Sequence, residues 1–203
     1  MRIFSLFIFP FYGLLLLALS YSDNKSKFLP YVLNFFWGIL TGVAVLSVEW
    51  LFLRRFELSS HFLGLWLGVF LDDYFFPLLG VVILWFTLWK KDLTNQENID
   101  RLVPWTLGIF FLEILMDMVS MRSFVNSFDL FLEPITKISL VTLMVALTKS
   151  EPDGLRLIVI PALIGGALLG ALCGTTWFFN LFIPSLLVGV LCLGGTHYYL
   201  YRQ

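Results

Sequence analysis

Charge is what this sequence has least of. Only 13% of its 203 residues are Asp, Glu, Lys or Arg, while 59% are hydrophobic; a water-soluble domain carries about 25% charged residues. Too little polar surface is left to cover a globule in water, so a soluble globular enzyme and a disordered chain are both excluded. The 13 basic residues face 14 acidic ones, and without a basic excess no nucleic-acid binder is expected. Cysteine and histidine are equally scarce. Cys173 and Cys192 stand in apolar runs without CxxC spacing, and His61 and His197 are far apart. Neither a disulfide framework nor a metal site is expected from them. No glycine-rich phosphate loop, Ser-His-Asp order or GxSxG elbow is present, and the sequence names no cofactor.

What the chain has in quantity is long apolar runs. At about 20 residues per helical crossing, the length suffices for roughly six or seven spans and no separate soluble domain. The expected fold is therefore all-α, a polytopic transmembrane helical bundle forming a single integral membrane domain over 1–203. Residues 3–20 read as a first, uncleaved span kinked at Pro10, and residues 31–53 as a second. After a polar linker at 90–101, four further spans fall near 102–120, 132–148, 157–175 and 181–200.

The segment 61–89 is ambiguous. As one helix it would be about 43 Å long, against a hydrocarbon core of about 30 Å. Two full crossings would need about 40 residues. Two readings remain: a long tilted span broken near Pro77, or a re-entrant hairpin with Asp72-Asp73 near its tip. The hairpin puts Arg2, Arg54, Arg55, Lys90, Lys91, Arg101, Lys149, Arg156 and Arg202 on one face, and only Lys25, Lys27, Arg122 and Lys137 on the other. That split satisfies the positive-inside rule better than a single crossing does. The expectation is thus six crossings plus a re-entrant or broken helix at 61–89, with both termini cytoplasmic in a bacterial inner membrane. Seven crossings is the alternative.

Acids inside apolar runs carry the chemical information. Glu113 and Asp117 are i, i+4 and share a helical face, which Thr106 and Ser120 extend. Along a helix Glu113 lies about 18 Å from Arg101, Asp117 about 24 Å, and Asp73 about 26 Å from Lys90. Asp72, Asp73, Glu113 and Asp117 are therefore expected at one depth in the outer half of the bilayer, with Arg122, Glu133 and Lys137 near the same level. A buried carboxylate costs several kcal/mol unless paired, hydrated or protonated, so four in one layer point to a shared polar chamber. The competing structural reading pairs Asp117 with Arg122, and Glu133 with Lys137 one turn away; Glu113 has no obvious local partner. The DDYFF string offers two of the carboxylates of a DDxxD magnesium site, but Phe76 occupies the third position.

Gly166, Gly170 and Gly174 recur at a spacing of four beside Ala167 and Ala171, a ridge that lets another helix approach closely. Gly189, Gly194 and Gly195 are a possible complement.

These features suit a small membrane transport protein, or the membrane substrate-binding subunit of a transporter, handling a polar or cationic small molecule or an ion. Ligand or ion binding would fall to Glu113, Asp117, Asp72 and Asp73. The expected partners are the lipid bilayer, the substrate, and partner or energising membrane subunits, because the chain has no nucleotide-binding element. Two other classes fit the same residues: an intramembrane enzyme acting on a lipid or membrane peptide through clustered carboxylates, and a non-catalytic subunit of a larger assembly.

Overall fold

The computed structural model describes residues 28–53, 61–89, 92–119, 127–150 and 155–202. Nearly all of them are helical, with no strand among them. Six helices follow in order: α1 Phe28–Leu53, α2 Phe62–Leu88, α3 Asn95–Val119, α4 Ser127–Ser150, α5 Leu155–Phe178 and α6 Phe182–Arg202. The expected span at 3–20 lies outside the described residues. Leu29–Phe52, Phe62–Leu88 and Ile160–Phe178 are long and apolar enough to cross a membrane, and Phe182–Tyr198 is a shorter apolar helix.

The least apolar helices occupy the centre. Both faces of α3 and α4 are buried, through Leu102, Leu107, Phe110 and Ile114 on one and Ile138, Val141, Met144 and Val145 on the other. Leu33, Leu40 and Phe52 of α1, and Ile183, Leu187 and Leu191 of α6, are exposed outward. This is the order a bilayer imposes: apolar side chains cost nothing against lipid, and charge is tolerated only where protein surrounds it.

Helix α1 lies along α3 at a glycine crossing. A Cβ on Gly38 would fall 2.1 Å from the Trp105 carbonyl oxygen, and one on Gly108 would fall 2.2 Å from that of Phe35. Across the same contact the Trp105 indole donates to Thr41 Oγ1 at 2.8 Å. On the other side of the bundle, α5 and α6 form a hairpin turned at Asn180, whose φ is 62°. Two bonds clasp this hairpin: Cys173 Sγ donates to the Ser185 carbonyl at 2.9 Å, and Ser185 Oγ donates to the Cys173 carbonyl at 2.7 Å.

The re-entrant hairpin expected at 61–89 is corrected. Helix α2 runs unbroken for 27 residues, and Asp72-Asp73 lie inside it, within a π-helical turn at Phe70–Phe75. The backbone stays right-handed on both sides, with Val69 at φ −58°, ψ −39° and Phe76 at φ −67°, ψ −46°. Nor does Pro77 break the helix. The right-handed backbone passes through it from the π-helical turn into the α-helical segment Phe76–Leu88. That turn divides the packing of α2: the part before it leans on α5, the part after it on α1 and α3.

The linker expected at 90–101 is shorter than its polarity suggested, because α3 begins at Asn95. Thr94 and Glu97 form a reciprocal cap: the Glu97 carboxylate accepts from the Thr94 amide at 2.8 Å, and Thr94 Oγ1 accepts from the Glu97 amide at 3.3 Å.

Candidate functional site

The centre of the bundle holds a charged triad. Lys137 of α4 places its ammonium 2.8 Å from Glu113 Oε2 of α3 and in direct contact with Glu133 Oε1, one turn earlier on its own helix. All three residues are buried: Lys137 is 0% exposed, Glu113 and Glu133 2% each. Pro134 follows Glu133 inside α4 and removes an amide from the helix ladder at that level.

Aromatic rings enclose the ammonium. The Tyr74 centroid is 5.8 Å from Lys137 Nζ and the Phe110 centroid 5.9 Å, both within cation–π range. Tyr74 belongs to the π-helical turn of α2 and is itself fully buried. Its hydroxyl lies 2.6 Å from Thr136 Oγ1, which donates to the Glu133 carbonyl at 2.9 Å. With the Thr136 proton committed to that carbonyl, the Tyr74 hydroxyl donates to Thr136. Space for the ring comes from α5: a Cβ on Gly170 would fall 2.7 Å from Tyr74 Cζ.

Beyond Thr136 a groove of about 510 Å³ opens between α4, α5 and α6. Its walls are almost wholly apolar and include Leu140, Gly165, Gly166, Leu169 and Gly195, with Thr136 and Ser139 among its few polar groups.

The sequence-derived candidates are distributed as follows. Glu113 is central, and its partner comes from another helix rather than from its own. Glu133 and Lys137 form the expected pair and extend it to Glu113. Asp72 and Asp73 are half-buried on α2. Among the described residues no three Asp, Glu, His or Cys side chains are grouped to hold a metal. Asp117 lies in α3, but its side chain, Ser120 and Arg122 are outside what the structure describes. Thr106 is spent on packing: it accepts from the Trp85 indole at 3.0 Å and donates to the Leu102 carbonyl at 2.9 Å.

The glycine ridge of α5 is used unevenly. Gly166 receives Leu140 and Gly170 receives Tyr74, while Gly174 is buried. Gly189 faces Leu132, whereas Gly165, Gly194 and Gly195 have nothing within 4 Å of an added Cβ.

Sequence reasoning missed Tyr74 and Thr136. The one signal that pointed toward Tyr74 was its place directly after Asp72-Asp73 in an otherwise apolar helix. Compared with known protein families, curated proteins and solved structures, the chain matches none.

Proposed function

We propose that this chain is a small membrane transport protein, or the membrane substrate-binding subunit of a transporter, in which the Glu113–Lys137–Glu133 triad takes up and releases a proton or small cation. One observation carries the reading: two carboxyl groups share one ammonium in the fully buried centre of a membrane bundle. Burying ions costs several kcal/mol each, and such residues within a membrane mark ion and proton pathways by default. With both carboxyls ionised the triad carries one excess negative charge. An added positive charge would balance it, so a proton or a cation is the natural fourth component.

In this reading each described helix crosses the bilayer once, which with residues 3–20 makes seven crossings and puts residues 2 and 202 on opposite faces. The bacterial inner membrane remains the proposed location.

The test is flux. Protein reconstituted in liposomes with an entrapped pH dye should pass protons when a potassium diffusion potential is imposed. Glu113→Gln should reduce the rate at least about tenfold while melting like the parent. Equal flux in a folded Glu113→Gln protein defeats the proposal.

A second reading is favoured by Gly165, Gly194 and Gly195, whose open faces would admit a close helix. On it the chain is a membrane subunit of a larger assembly. A partner protein that co-purifies with the parent, and is lost when Gly165 and Gly195 are both changed to Leu, would support it.

A further inference from the structure

We propose that Tyr74 is a positioning residue that sets the pH at which the triad exchanges its proton. The inference rests on the transport reading and adds a fourth side chain from a third helix.

Tyr74 makes two kinds of contact with the site. Its ring faces the Lys137 ammonium at 5.8 Å, and its hydroxyl is fixed 2.6 Å from Thr136, the residue between the Glu133 turn and Lys137. The hydroxyl therefore anchors the ring, and the ring holds the ammonium against the two acids. The π-helical turn is what brings position 74 into register, and Gly170 is what leaves room for it. Two separate departures from ordinary helix packing thus converge on one phenol.

Lys137 pairs with Glu113 from α3 and Glu133 from α4, and the half-buried Asp72 and Asp73 flank Tyr74 on α2. Asp73 and Glu133 lie close enough to act on Tyr74 through their charge, and α5 contributes the uncharged Gly170. Releasing the ring loosens the ammonium and weakens its compensation of the carboxylates. A carboxyl less compensated keeps its proton to higher pH, so loss of the anchor moves the exchange midpoint upward.

The experiment is an infrared titration of the full chain in nanodiscs, following the carboxylic-acid carbonyl band that disappears in Glu113→Gln or Glu133→Gln. Tyr74→Phe and Thr136→Val remove the same hydrogen bond from opposite ends. Each should raise the midpoint by about one pH unit, a tenfold gain in proton affinity. Thr136→Ser, which keeps the hydroxyl, should titrate like the parent. Gly170→Ala, which pushes on the ring without removing a polar group, should shift in the same direction as Tyr74→Phe. Parental midpoints in Tyr74→Phe and Thr136→Val overturn the role of Tyr74, and if Tyr74→Phe does not fold, the Thr136→Val and Thr136→Ser pair decides. A parent protein with no titrating band instead removes the transport reading itself, and this inference with it.

Discussion

Lys137 is the residue on which the interior depends most. Removing one partner of a buried ion pair leaves uncompensated charge and costs about 3–5 kcal/mol, whereas replacing a whole buried ionic group by apolar ones is often neutral. Lys137→Met should therefore melt far below the parent in detergent, and adding Glu113→Gln with Glu133→Gln should recover most of the loss. A triple variant no better than Lys137→Met would show that the triad does not act as a unit. Two of its three members could be read from the chain as a pair, because Glu133 and Lys137 are one turn apart and a single helix brings them together. The bond to Glu113 could not. It depends on the register of α3 against α4, which is set by side chains spread along both helices. Tyr74 was hidden for a different reason: one phenol among many aromatics has no pattern of its own, and only the extra residue of the π-helical turn directs it inward.

At the scale of elements, close approach and helix phase decide the arrangement. Gly38 and Gly108 let two backbones meet, so Gly38→Ala or Gly108→Ala should destabilise by about 1–3 kcal/mol, as overpacking does. Gly195→Ala meets open space and should be neutral or gain up to about 1 kcal/mol from helix propensity. Thermal melts of the three single variants would separate these outcomes. Deleting Leu71 makes a complementary test. It converts the wide turn to an ordinary one and rotates one half of α2 by about 100° relative to the other. The 3.1 Å bond from the Trp66 indole to the Leu168 carbonyl should then break, with a red-shifted tryptophan emission. An unchanged spectrum would mean that α2 slides rather than rotates. Five of the six described helices were legible from apolar run length, to within a few residues at most ends. The fate of 61–89 was not, since charge counting weighs only the loops and carries no information about whether a helix tolerates an inserted residue. The start of α3 was written in Thr94 and Glu97, a capping pair that the surrounding polarity disguised as linker.

For the whole molecule, the inversion of polarity is the organising fact: apolar helices outside, charged ones within. On the proposed topology a continuous α2 would put its two ends on opposite faces. In a background without native cysteines, His61→Cys and Thr94→Cys should be labelled by an impermeant thiol reagent from different sides of the membrane. Labelling of both from one side would restore the hairpin topology and detach α2 from the bilayer span. The clasp between Cys173 and Ser185 has its own consequence. A thiol enclosed in this way reacts only in the moments when the last two helices part, so its alkylation rate is a clock for that separation. Once the more exposed Cys192 is replaced, the chain therefore carries an internal reporter of breathing between α5 and α6.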